Sequence, residues 1–392
     1  MAASLGWMLD AFDVMLYAMV LARMMAEMGM SKATGGLMSS LTLLAAAAGG
    51  IVFGVLADRH GRTWALRASV LIYSMFTAAC GLAGTVPMLA VFRICLGLGM
   101  GGEWASGAAL VSETWPAEHR GKALGFVQSF WAVGYAAAAL VSGLVLPWGG
   151  WRAVFFIGVL PALLVFWVQK RVDEPVLWRA QMATAKDAPR FKIRSVIRGR
   201  LLGTTAAVTL MNGFTLFAWW GFNTWIPGYL SLAGSQGGMG LSTGLTSAVV
   251  FVMQFGMWLG YLTFGYFSDT LGRRRTYLVY LLTAAVLIVV YANVRRPLLL
   301  FALGPLVAFF GTGYFTGFGA LTAELYPTRI RATLQGFTYN IGRVGSAVAP
   351  LAIGTLAQDK GFGTAFLLAA ASFIAAAVCW IWIPETRGRT LT

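Results

Sequence analysis

The chain has 392 residues, of which 58% are hydrophobic and only 11% charged, and its mean hydropathy is +0.74. Soluble domains carry roughly a quarter of charged residues, so this composition excludes an ordinary water-facing fold and assigns the chain to a lipid bilayer. The formal charge of +15 leaves a nucleic-acid partner to be weighed against a topological origin.

Apolar stretches near the roughly 20 residues that cross a bilayer run at 4–24, 36–56, 64–83, 87–110, 121–146, 151–169, 203–230, 245–266, 276–293, 298–322, 332–356 and 363–383. Six precede a polar segment and six follow it, which predicts an all-α membrane protein of twelve transmembrane helices. The first stretch is a full span carrying Asp10 and Asp13, unlike the short apolar core of a cleavable signal peptide. With a cytoplasmic amino terminus, 21 of the 29 Lys and Arg fall on the inside: Arg59, Arg62, Arg67, Arg120, Lys122, nine from Lys170 to Arg200, Arg273, Arg274, Arg275, Arg329, Arg331, Arg387 and Arg389. The outer ends keep only Arg23, Lys32, Arg152, Arg295, Arg296 and Lys360. This is the positive-inside pattern. It makes the charge topological, argues against nucleic acid, and predicts a multi-pass protein of the cell (inner or plasma) membrane with both termini in the cytoplasm.

The nonapeptide GVLADRHGR at Gly54 to Arg62 returns as GYFSDTLGR at Gly265 to Arg273, an offset of 211 positions. The same offset carries Glu113, Pro116, Arg120, Gly125 and Gly134 onto Glu324, Pro327, Arg331, Gly336 and Gly345. A repeat that keeps register this long in so apolar a chain marks a transporter of two homologous halves around a central site. The expected division is an amino-terminal bundle over 1–170, a cytoplasmic linker over 171–200 and a carboxy-terminal bundle over 201–392.

Cys80, Cys95 and Cys379 lie in predicted spans without metal-ligand spacing, and no metal site is expected. The two histidines, His60 and His119, fall in cytoplasmic loops. A proton crossing the membrane must therefore ride on a carboxylate. The GLGMGG run of span four lies inside a helix and lacks a Lys-Ser or Lys-Thr ending, so it is a packing surface and no nucleotide loop.

The loop motif GVLADRHGR resembles the signature of the major facilitator superfamily, with its weaker copy at span eight. RICLGLGMGGE from Arg93, ETWPAEHR from Glu113, GWRAVFF from Gly150, ELYPTRIR from Glu324 and PETRGRTL from Pro384 are similar to its sugar porters and metabolite:proton symporters. LDAFD in the first span resembles the paired aspartates of aromatic-acid:proton and sialate or lactate:proton symporters. The resemblance covers essentially the whole chain. It implies two pseudo-symmetric six-helix bundles that rock about a central site, a proton as coupling ion, no cofactor and a monomer. It further implies a conformational latch: Asp58 holding the opposite half near the start of span eleven, Arg62 pairing with acids such as Glu113, and Arg120 beside them. Asp269, Arg273, Glu324 and Arg331 would be their symmetry mates.

Five charges stand within the spans. Each costs about 2.5–3.5 kcal/mol at a helix centre on insertion scales, so those retained pair or line a pathway. Asp13 falls near the midplane and Asp10 one turn toward the cytoplasm, on the same helix face. Arg93 lies in the outer half of span four, Glu103 in its inner half, and Arg343 near the midplane of span eleven. By resemblance, Asp13 and Arg93 form a coupling pair, helped by Asp10 and Glu103: once an anion claims the arginine, the apolar surroundings favour the neutral acid and Asp13 takes a proton. The plainer alternative is a static buried ion pair. The position 211 residues before Arg343 is Ala132, so this arginine is not part of the duplicated machinery. Its guanidinium can bind a carboxylate in bidentate fashion, or balance Asp10 or Glu103 across the half interface. The expected cavity walls are Gln128, Trp131, Tyr135, Trp219, Trp220, Asn223, Gln254, Tyr339 and Asn340. Gln128, Trp131 and Tyr135 are spaced by three and four and share a face. Trp7 and Trp225 read as interface anchors.

An enzyme would need a nucleophile, metal cluster or cofactor motif, and none is found. Span five, SFWAVGYAAAALVSG from Ser129, lacks the proline of the superfamily's drug:proton antiporters. Span seven shows FAWWGFNTWIP where sugar and polyol symporters carry a glutamine cluster. A non-transporting sensor or receptor would be expected to lose the intramembrane charges, which are kept. The expectation is thus proton-coupled import of a small organic anion, a mono- or aromatic carboxylate.

Overall fold

The computed structural model describes residues 2–114, 120–160, 163, 200–326 and 328–387, without the side chains of 2–3, 58, 104–114, 120–124, 200 and 328–333. Of the linker over 171–200, all but Arg200, the first residue of the helix that follows, lies outside the described residues. The helices are α1 (Ala2–Met28), α2 (Lys32–His60), α3 (Arg62–Cys80), α4 (Val86–Thr114), α5 (Arg120–Ile157), α6 (Arg200–Ser231), α7 (Thr243–Leu271), α8 (Arg273–Asn293), α9 (Pro297–Thr312), α10 (Gly317–Leu325), α11 (Thr328–Ser346) and α12 (Ala349–Cys379). These labels count continuous helices and not crossings.

Among the described residues nine stretches are long and apolar enough to span a membrane. Two of them hold a break, at Gly150 in α5 and Gly361 in α12, so α5 carries span five and the start of span six, and α12 carries the end of span eleven and all of span twelve. Span ten is interrupted by a 3-10 turn, Gly313–Thr316, between α9 and α10. The third span, α3, is absent from the apolar set because it carries Arg62, Thr63, Arg67, Ser69, Ser74 and Thr77.

The duplication is written in the backbone. Gly29, Gly61 and Gly150 have φ of 64°, 112° and 67°, and 211 positions on Gly240, Gly272 and Gly361 have 67°, 96° and 80°. Side chains other than glycine rarely adopt this region, so each half turns its chain at the same three joints. Gly237 is the one further positive-φ residue described.

Within the first half, α4 lies between α2 and α3. A Cβ at Gly97 or Gly101 would strike the Thr42 or Ala46 carbonyl of α2, and one at Gly99 would strike the Tyr73 amide of α3. Gly134 of α5 faces the Met8 carbonyl of α1 in the same way. Such close approach is how helices associate where lipid offers no hydrophobic drive. Between halves, α5 packs on α7, α1 on α6, and the start of α2 on α12.

This last contact seals the side bearing Gly29 and Gly240. Lys32 donates its Nζ to the carbonyls of Gln236 at 2.6 Å and Ala357 at 3.3 Å. The Leu351 amide donates to Ser40 Oγ at 3.2 Å, and Gly36 packs on the Pro350 carbonyl. Trp225 is not an interface anchor: it is fully buried and donates its indole N–H to Pro350 O at 2.8 Å, because span seven runs inside the bundle. Gly36→Val should hold the two halves apart here. The expected outcome is a rise in labelling of a cysteine placed at Ser40, with transport cut about tenfold, a loss of order 1.4 kcal/mol in the closed form.

At the opposite end of the second half, Arg273 donates Nε and Nη2 to Glu324 at 3.1 and 2.7 Å, and Nη1 to Ser268 Oγ at 2.7 Å and to Asp269. Glu385 accepts from the backbone amides of Arg273 and Arg274, both at 3.0 Å, capping α8. Burial pushes the Glu385 carboxyl up, but the amides of Arg387, Arg274, Arg273 and Thr386 outweigh it and hold it below the usual carboxylate range. Glu324→Gln would leave the buried Arg273 short of its main partner. We expect a loss of about 3 kcal/mol, read as a lower unfolding temperature in detergent. The side chains of Asp58, Glu113, Arg120 and Arg331 lie outside the described residues.

Candidate functional site at the interface of the halves

α1 carries Asp10 and Asp13 into the centre, with α5 on one side and α4 and α6 on the others. The glycine seam of α4 brings Glu103 under α1, where its carboxylate rests against Gly6. All five intramembrane charges are buried: Asp10, Asp13, Arg93, Glu103 and Arg343.

They fall into two groups. Asp10 has Arg343 of the second half as its electrostatic partner, with Asp13 and Glu103 as acidic neighbours. Arg343 therefore sits where it can balance Asp10 across the interface. Arg93 stands apart, 1% exposed, with its guanidinium 4.1 Å from the centre of the Tyr17 ring. Its Nε and Nη1 have no hydrogen-bond partner, and neither carboxylate oxygen of Asp13 has one. The expected Asp13–Arg93 pair is not formed. Arg93 lies at the level of Tyr17, one turn or about 6 Å outward of Asp13 on α1, and Cys80 of α3 lies within reach of both. A cation over an aromatic face is favourable, but it leaves the in-plane N–H groups unused.

Arg93 opens onto a small cavity of about 10 Å³ between the halves, lined by Val14, Met15, Tyr17, Ala18, Ser39, Leu43, Trp220 and Thr224. That is room for about one water. Beside it the aromatic side chains form a continuous cluster across the interface. Trp131 of α5 meets Trp219 and Trp220 of α6 at 5.6 and 6.1 Å between ring centres, both edge-on. Trp7 packs tilted against Trp131 at 4.8 Å between ring centres and is buried, so this residue too is inside and not an interface anchor. The indole N–H groups of Trp131 and Trp219 are buried without partners.

The other expected wall residues are placed as follows. Tyr135 donates to Asn223 O at 3.3 Å, and Asn223 turns its amide to Trp219 O at 3.1 Å. Gln128 is half-buried beside the Tyr261 hydroxyl. Gln254 gives its amide N–H to Val250 O at 3.1 Å and leaves its oxygen unpaired. Tyr339 is half-buried near Arg343, whereas Asn340 is exposed and bonded to its own helix at Gly336 O, 2.9 Å. Sequence reasoning missed Tyr17, Ser39 and Thr224. Tyr17 was legible, since 10, 13 and 17 share one helix face.

Comparison with known proteins decides the class. The Major Facilitator Superfamily profile matches residues 3–255 and again 236–392. The chain belongs to the Major Facilitator Superfamily. It is 31% identical to the cis,cis-muconate transport protein of Acinetobacter baylyi over 98% of this chain and 93% of that one. It is 30% identical to the niacin transporter of the same organism over 99% of this chain and 93% of that one. The fold matches the xylose transporter from E. coli in a partially occluded inward-open conformation, with a TM-score of 0.79 and 18% identity over 100% of this chain and 98% of that one. As a Major Facilitator Superfamily member the chain is a multi-pass transporter of metabolites and not an enzyme, with the superfamily's twelve helices in two bundles.

Proposed function

We propose that this transporter couples entry of protons to import of a small, flat organic carboxylate. The observation that carries the reading is Arg93: a permanently charged guanidinium, buried, with no acid partner, facing an inter-half cavity beside a tryptophan cluster. An unpaired buried cation calls for an anion, and the edge-on indoles with free N–H groups offer apolar faces and donors to a conjugated acid. The relatives named for cis,cis-muconate and niacin, both small carboxylates, support this class. Arg93 takes the carboxylate, and Arg343 supplies a second guanidinium when Asp10 is neutral. Asp13, which faces no cation and has the Thr77 hydroxyl and Asp10 as its polar neighbours, is the seat of the proton, with Asp10 and Glu103 sharing the same space. Three acids and two arginines sum to −1, and one anion with one proton leaves that sum unchanged, so a 1:1 cycle moves no net charge. The halves 1–170 and 201–392 rock as bodies joined by 171–200, in the cell membrane with both termini in the cytoplasm.

The test is proton entry into proteoliposomes on adding muconate, nicotinate, benzoate, lactate, sialate, xylose or a cationic drug. External alkalinisation with flat carboxylates is the expected result. A response to xylose or the drug alone would overturn the substrate class.

A further inference from the structure

Several polar side chains of α3 are not turned to water, whereas Arg62 and Arg67 are half-exposed. Ser69, Tyr73, Ser74 and Thr77 are fully buried, and positions 69, 73 and 77 follow one face of the helix. Ser69 donates to Gly99 O at 2.7 Å, and the missing Cβ of Gly99 lets α4 press on the Tyr73 amide. That seam fixes Tyr73 against the inner half of α4, one turn from Glu103. Its hydroxyl has Glu103, Asp13 and Asp10 as electrostatic neighbours. Yet the hydroxyls of Tyr73, Ser74 and Thr77, Glu103 Oε2 and both oxygens of Asp13 are all buried without a hydrogen-bond partner. Packing alone would be met by Phe at 73, Ala at 74 and Val at 77, and a buried hydroxyl left unpaired costs free energy. Two of them, Tyr73 and Thr77, stand beside these acids and point to a role that the resting geometry does not use.

We infer that the Tyr73 hydroxyl is the proton bridge between Asp13 and Glu103, with Thr77 positioning the proton on Asp13. The inference rests on the proton-coupling reading above. In the step, neutral Asp13 gives its proton to the Tyr73 oxygen while the Tyr73 O–H passes its own to the Glu103 carboxylate. Asp13 ends ionised, Glu103 neutral and Tyr73 unchanged, so no charge is created. Asp10, facing Arg343, stays balanced during the transfer. The route carries the proton from the midplane toward the inner half of span four without crossing Arg93.

The experiment compares two assays on Tyr73→Phe in proteoliposomes. Counterflow, with substrate on both sides, needs no net proton movement; uptake driven by an imposed pH gradient does. We expect counterflow within about twofold of wild type and gradient-driven uptake at least tenfold lower. Thr77→Val should show the same split more weakly, and Thr77→Ser should keep gradient-driven uptake near that of wild type. Equal gradient-driven uptake in wild type and Tyr73→Phe overturns the bridge, as does a parallel fall in both assays, which marks a packing role. If Tyr73→Phe does not insert, the Thr77→Val split decides on the same terms. Absence of substrate-induced proton entry in wild type overturns the coupling reading and the bridge with it, whereas coupling intact in both proteins overturns the bridge alone.

Discussion

Asp13→Asn is expected to equilibrate substrate across the membrane without accumulating it. A pH difference of one unit stores about 1.4 kcal/mol per proton, which for a coupled carrier concentrates substrate about tenfold; the variant should stop at equal concentrations. The argument is steric as much as electrical. Asp13 is buried with both oxygens unpaired, so the amide fills the same volume and breaks no bond of this conformation. Only the ability to bind and release a proton is removed. Counterflow should therefore survive, which separates lost coupling from lost folding. Persistent accumulation in the variant would move the proton to Glu103 or Asp10.

The second large effect belongs to Arg93. A hydrogen bond to a charged group contributes about 1.5–3 kcal/mol, so Arg93→Gln should weaken apparent substrate affinity by roughly ten- to a hundredfold. Arg93→Lys should recover little, because an ammonium lacks the planar fork that meets a carboxylate with two parallel bonds. Arg343→Gln is expected to act differently: it removes the cation facing Asp10, so its effect should depend on pH as well as on substrate concentration. An Arg93→Gln protein with unchanged affinity in a binding titration would return the carboxylate to Arg343 alone.

Much of the fold was legible because its signals are local and repeated. The 211-residue offset in the loop motifs reappears as three pairs of positive-φ glycines, and the composition that excluded a soluble fold also spaced the crossings. The intramembrane charges stood out for the same reason, since a charged residue in an apolar run has few explanations. What sequence could not supply was the register between neighbouring helices to within a turn. Helical periodicity tells which face Asp13 or Arg93 occupies, and rise per residue tells how far apart two groups lie on one helix, but neither fixes how far α4 is shifted along α1. That shift places Arg93 over Tyr17 and away from Asp13. Trp7 and Trp225 misled on similar grounds: nearness to a span end reads as the membrane surface, whereas both lie where other helices cover them. The hydroxyls of α3 lowered its hydropathy without marking it as a wall of the charged centre.

The paired glycine joints give the molecule a built-in control for experiments on movement. Gly150 and Gly361 break their helices with φ of 67° and 80°, and each sits at the same place in its own half. An alanine at one joint stiffens one half while its twin, untouched in the same polypeptide, reports what that joint does unaltered. A difference between the two single replacements would measure how unequally the halves share the work of opening, with no second protein needed for reference.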